Sequence, residues 1–386
     1  MRQSPSATSV ASTLASAPPL ATDRGAPLAH PPAQFSNPIV AAAYPAGSAD
    51  PSVSYHDGHY HYCRSLADGA LGVARASRLQ DIGRAEMVVV WRPEPGTPWC
   101  DEIWAPELQF VQGRWYIYFA ASDGNNRNHR MYVLEADTQD TQGSYTFRGK
   151  IAAPTDRWAI DGIAVENAGQ LYFVWSGWRN EDDGFPQVLY IAPMSDPCTI
   201  SGERVEIAAP EHGWEQVGAS LLEGPAVLYR DGRIFLSYSA SASWTDDYTL
   251  GLLSYSGGDI LSPDAWLRSA GPVFAQCRPH GVYGPGHNSF VHSPDGSEDW
   301  IVYHAIDHSG AGWSQRSVRA QRFGWTAEGL PDFGVPVAPG ALVTEPSGSP
   351  RLNPADEALL ALAAARASQP RKAAADLPRH RLALTD

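Results

Sequence analysis

Five positions hold side chains that could do acid–base chemistry or wall a small polar pocket: Asp50, Trp104, Asp161, Glu223 and His287. Each stands eight or nine residues before a glycine, at Gly58, Gly113, Gly169, Gly232 and Gly296. One aspartate ahead of a turn is ordinary capping. Two aspartates, a glutamate and a histidine at equivalent places in one repeat point instead to a site. Such a set can supply a proton donor and a base, because crowded carboxylates drive their pKa values apart.

The glycines mark the elements that must position these groups. Apolar runs flank Asp57-Gly58, Gln112-Gly113, Ala168-Gly169, Asp231-Gly232 and Asp295-Gly296, the pattern of β-hairpins. The steps between the glycines are 55, 56, 63 and 64 residues. Hairpins with aromatic strands at that period predict an all-β, five-bladed β-propeller of four-stranded blades. If the first strand of each hairpin is innermost, the five residues ring one mouth of a central channel. Outer strands are expected at 72–76, 87–91, 131–136, 145–150, 188–193, 250–255 and 316–323. The polar-aromatic run from Ser241 to Tyr248, with Trp244 in it, reads as a rim loop. Residues before Asp50 are expected to add a strand to the last blade and so close the ring.

The catalytic domain is expected over residues 35–346. Residues 1–34, rich in Ala, Pro, Ser and Thr, read as a disordered leader. They lack the continuous apolar core of a secretory signal, so the chain reads as cytoplasmic or non-classically secreted. Residues 347–386 read as a tail, with a short helix from Asn353 to Ala365 and disorder beyond Gln369. The net charge is −14, from 28 basic and 42 acidic residues, and no basic cluster exists to bind nucleic acid. No apolar run is long enough for a membrane helix. Cys63, Cys100, Cys198 and Cys277 show no zinc spacing and read as buried, reduced thiols, with two disulfide bridges as the alternative.

Five strings, one per repeat and in order, carry a resemblance: ADPSV, EIWAPEL, AIDGIAV, LEGPAV and GPGHNSF. Together they resemble glycoside hydrolase family 43, over about residues 37–346. WYIYFAASDGNNRNHRMYVLE, APMSDPCTISGERV and SASASWTDDYTLGLL are similar to its α-L-arabinofuranosidases. The resemblance implies an inverting hydrolase that releases terminal arabinofuranose from arabinan or arabinoxylan oligosaccharides. The alternatives are a β-xylosidase or arabinanase of the same family, or a sugar-binding propeller without catalysis. It implies Asp50 as general base, Glu223 as general acid and Asp161 as the carboxylate that orients the acid. It implies His287 at the channel centre, where many members hold a calcium ion or a water cluster, with no cofactor otherwise required. Trp104 and Trp244 are the expected walls of the sugar pocket. An arginine of the last blade should contact sugar hydroxyls, with Arg319 preferred to Arg316. The residues themselves suit this chemistry, since glycoside hydrolysis needs one protonated carboxyl and one ionised. Asp161, a like charge, would hold the acid protonated.

Overall fold

The computed structural model describes residues 33–42, 48–355, 358 and 362. Five antiparallel sheets follow one another along the chain as the blades of a propeller. Their innermost strands are Ser52–His56, Asp101–Val111, Ala159–Asn167, Leu222–Arg230 and Tyr283–His292, in blades I to V. In blades I to IV the inner strand turns back through a two-residue loop. Both loop residues are left-handed, with φ of 47° and 76° at Asp57-Gly58 and 48° and 74° at Asp231-Gly232. That conformation matches the right-handed twist of the strands. Blade V turns more widely, from Ser293 to Glu298, and its Gly296 N–H donates to the Ser293 carbonyl at 2.8 Å.

The expected outer strands form close to their expected bounds. Blade III departs from the four-stranded plan. Its edge is split between Thr199–Ile200 and Val205–Ala208, which both pair with Val188–Asp196.

The core is divided into five clusters, one between each pair of neighbouring blades. Tyr118 meets Phe173 between blades II and III, and Phe235 joins Tyr303 between blades IV and V. Each such side chain stabilises the ring by about 1.5–3 kcal/mol when fully buried.

Around the channel, side chains bridge the inner strands. Ser52 Oγ accepts the Leu108 N–H at 2.8 Å, and Ser54 Oγ donates to the Leu108 carbonyl at 2.9 Å. The Gln109 amide exchanges two bonds with the backbone of Ala164, at 2.7 and 3.2 Å. Ser289 Oγ accepts from Val53 N and donates to the Pro51 carbonyl, joining blade V to blade I.

The ring is completed by a side chain and a bridge rather than by a full strand. Asn37 exchanges two 2.9 Å bonds with the backbone of Ala320, as a strand residue would. Val40 forms a single antiparallel bridge with Val318. Gln34–Ser36 pairs instead with Leu342–Thr344. The four cysteines are unpaired, Cys63 buried and the other three half-buried. The expected leader and most of the expected C-terminal helix lie outside the described residues.

Candidate active site

The inner strands are irregular where they begin. Asp50, Asp161 and His287 have left-handed φ of 53°, 55° and 43°. The ladders slip between Trp104 and Glu107, Ile160 and Ile163, Glu223 and Ala226, and Gly286 and Ser289. A slipped register re-aims a side chain that would otherwise follow strict alternation. Left-handed backbone costs an ordinary residue roughly 1–2 kcal/mol. The cost recurs at the three ring positions that carry Asp50, Asp161 and His287, which marks it as a feature of the site.

His287 is the hub. Its Nδ1 lies 3.4 Å from Asp50 Oδ1 and 4.0 Å from Asp161 Oδ2, and its Nε2 lies 3.3 Å from Glu107 Oε1. Its backbone N–H donates to Ser239 Oγ at 2.8 Å. Burial disfavours the imidazolium, but Asp50, Asp161 and Glu107 outweigh it and raise the pKa to about 10. The ring is therefore a cation at neutral pH. It is packed against Gly224, where a Cβ would stand 3.0 Å from Nδ1 and φ is 52°. Glycine meets both demands.

The two carboxylates on opposed blades differ sharply. Burial alone would raise Asp50, but Arg316, His287 and His304 hold it well below the usual carboxylate range. Arg316 Nη1 lies 3.2 Å from Asp50 Oδ1, and His304 Nδ1 lies 3.2 Å from the same oxygen. Glu223 is pushed up to about 8, by burial first and then by Asp161. The Tyr248 hydroxyl donates to Glu223 Oε1 at 2.9 Å. Asp161 is itself raised to about 6, chiefly by burial, and accepts the Gly224 N–H at 2.9 Å. At neutral pH the site thus holds one protonated carboxyl and one firmly ionised one.

Trp104 lies at the same mouth, 38% exposed and stacked on His129 at 3.9 Å. Trp244 sits on the blade IV rim loop, also 38% exposed.

Arg319 is the more enclosed of the two candidate arginines. It is fully buried, pairs with Asp307 and lies opposite Tyr303 in the blade V ladder. Strand alternation turns it into the sheet's packing face. Arg316 lies just before that strand, in the rim, and is the arginine that reaches Asp50.

Glu107, Tyr248 and His304 also belong to the site and escaped the sequence reading. Glu107 lies deeper in the channel than the strand starts that defined the ring. Tyr248 and His304 come from a loop and a second strand, which the repeat phase does not index. Among the described residues no direct ligand set for calcium is formed. Both ring nitrogens of His287 face carboxylates, and no three His, Cys, Asp or Glu side chains converge as a metal site among the described residues. Past Glu107 the channel widens into a cavity of about 340 Å³, lined by Ser54, His56, Gln109, Phe110 and Asn288.

The sequence profile described as glycosyl hydrolases family 43 matches residues 35–331. An extracellular exo-α-(1→5)-L-arabinofuranosidase of Streptomyces avermitilis is 38% identical over 323 residues, 81% of this chain and 66% of its own length. α-L-Arabinofuranosidase 43 of Humicola insolens is 35% identical over 301 residues, 76% of this chain and 62% of its own. The chain thus spans less than two thirds of the length of either relative. The crystal structure of an α-L-arabinofuranosidase from Lactobacillus brevis superposes with a TM-score of 0.74 at 35% identity, covering 80% of this chain and 98% of that one.

Proposed function

The chain belongs to glycosyl hydrolases family 43, and from that premise we propose that it is an inverting α-L-arabinofuranosidase. It would release terminal arabinofuranose from arabinan or arabinoxylan oligosaccharides. The observation that carries the reading is the split between Asp50 and Glu223.

In this reading Glu223 donates its proton to the glycosidic oxygen as the bond to the anomeric carbon breaks. Its raised pKa keeps that proton in place at neutral pH. Asp50, ionised and bound by Arg316, takes a proton from water as the water attacks from the opposite face. The oxocarbenium-like centre develops positive charge, which the surrounding carboxylates stabilise. Asp161 adds to burial in keeping Glu223 protonated, and its bond from Gly224 fixes where that like charge stands. His287 holds Asp50, Asp161 and Glu107 in one array by charge and hydrogen bonding.

Arabinose as the glycone is supported by the two relatives and the structural neighbour, each of which is an α-L-arabinofuranosidase by name. The test is release of p-nitrophenol from aryl α-L-arabinofuranoside and aryl β-D-xyloside. Faster turnover of the arabinofuranoside is expected. Preference for the xyloside would make the protein a β-xylosidase, and release from neither would leave a sugar-binding propeller.

A further inference from the structure

Of the thirteen tryptophans, three are exposed: Trp104, Trp244 and Trp313. Trp313 is the most open, at 44%. It lies in the short turn Gly312–Gln315, between the second and third strands of blade V. Trp244 lies between the second and third strands of blade IV. Second strands run back toward the mouth where the inner strands begin, so both loops stand over the carboxylates.

The two loops are fastened to each other. Trp313 Nε1 donates to Ser243 Oγ at 3.0 Å, and its ring meets Trp244 edge-on at 5.3 Å. The Asp246 carboxylate accepts from Ser309 Oγ and, at 2.9 Å, from Gly310 N. Each loop also carries a residue bonded to one of the two opposed carboxylates. Tyr248 donates to Glu223, and Arg316 donates to Asp50. The backbone carbonyl of Trp313 accepts from Arg316 Nε at 3.4 Å.

Which part of a substrate would meet this corner follows from the chemistry. Glu223 protonates the oxygen that leaves with the aglycone. The aglycone sugar must therefore extend from Glu223 past the groups around it. The loop from Ser241 to Tyr248 supplies Tyr248 to Glu223 and places Trp244 at its open edge. Apolar faces of a sugar ring are well matched by an exposed, rigid indole whose N–H is already satisfied.

We propose that Trp313, braced against Trp244, is the platform that binds the aglycone sugar, the one next to the bond being cut. This assignment rests on the arabinofuranosidase reading. The platform senses what the cleaved arabinose is attached to and leaves the arabinose pocket itself untouched.

The experiment compares Trp313→Ala, Trp244→Ala and Trp313→Phe with wild type, on arabinobiose and arabinotriose and with free arabinose as competitive inhibitor. Trp313→Ala should raise KM for the oligosaccharides about tenfold, with kcat nearly unchanged and arabinose inhibition within about twofold of wild type. Trp313→Phe keeps a ring and should recover most of the loss. Trp244→Ala should move KM in the same direction, and it keeps the idea testable if Trp313→Ala fails to fold. Unchanged KM in folded Trp313→Ala and Trp244→Ala overturns the assignment. Equal weakening of arabinose inhibition and of KM also overturns it, by placing the platform on the glycone side. Wild type that releases no arabinose from either oligosaccharide contradicts the activity itself. A working wild type with indifferent variants contradicts only the platform.

Discussion

The two ends of the inner strands are built in opposite ways. Toward the hairpins, pairing is regular: Val227 faces Leu236, Leu228 faces Phe235 and Arg230 faces Arg233, up to the left-handed turn at Asp231-Gly232. Toward the other mouth, Asp161 and His287 are left-handed, the ladder slips and charged groups are buried against one another. The regular end follows from alternation and turn chemistry alone. The irregular end opposes both, and it is where the opposed carboxylates stand. In this molecule, departure from the ideal strand marks the site more reliably than the apolar pattern does.

The comparison breaks first if the irregular end can be altered without consequence. Asp50→Asn should lower kcat by about 10²–10⁴-fold on oligosaccharides and on dinitrophenyl glycosides alike, because water must be activated in both. Glu223→Ala should lose a similar factor on oligosaccharides and far less on the dinitrophenyl substrate, whose leaving group needs little protonation. Steady-state rates on the two substrates give the answer. If Asp50→Asn spares the dinitrophenyl substrate while Glu223→Ala destroys it, the roles are exchanged.

The two arginines of blade V sharpen the comparison, since they lie three residues apart at opposite kinds of position. Arg316 is the strongest influence lowering Asp50. Its removal by Arg316→Ala should cut kcat roughly 10–100-fold and bring the acid limb of the pH–rate profile upward, toward ordinary carboxylate values. Arg319→Ala should instead lower stability by about 2 kcal/mol or more, through a void in the sheet, and leave KM intact in the folded fraction. Urea titration and kinetics on both variants separate the two outcomes. A catalytic defect without a stability defect in Arg319→Ala would restore it to the site.

Two pH effects are smaller. Activity should fall as Glu223 loses its proton, near pH 8. The Tyr248 hydrogen bond lowers the pKa of Glu223, so Tyr248→Phe should move that alkaline limb upward. Stability has the same origin. The folded pKa of Glu223 lies above its ordinary 4.5, so its contribution is complete below pH 4.5 and is lost as pH rises to about 8. The melting temperature of Glu223→Gln relative to wild type should therefore climb across that window and level off above it. A constant difference from pH 4 to 9 would mean that Glu223 is not held protonated. The smallest effect expected is none: exhaustive chelation should leave melting and activity unchanged, because the three carboxylates around His287 already have its ring as their partner. Loss on chelation with recovery on added calcium would reverse that statement.

Much of this was legible in the chain. Asp-Gly, Gln-Gly and Ala-Gly turns flanked by apolar runs located four of the five hairpins within a residue, since two-residue turns leave the chain no choice of register. The phase of those turns placed Asp50, Asp161 and His287 on one ring. The same phase could not place Glu107, whose strand slips twice, between Asp101 and Trp104 and again before Glu107. Nor could it rank Arg316 against Arg319, because the last residue of a loop obeys no alternation. Tyr248 and His304 are brought to the carboxylates by loop path and by packing between blades IV and V. Neither leaves a periodic trace. Ring closure through the Asn37 side chain was expected as a strand, because an amide that imitates backbone pairing has no distinctive sequence pattern.

The central claim is that Glu223 and Asp50 act from opposite sides of the anomeric carbon, with Asp50 working through water. Proton NMR of the first sugar released from an α-L-arabinofuranoside, recorded before mutarotation, tests it directly. The account predicts β-L-arabinofuranose as the first product. The α anomer appearing first would contradict it, and would make Asp50 a nucleophile or remove it from the reaction.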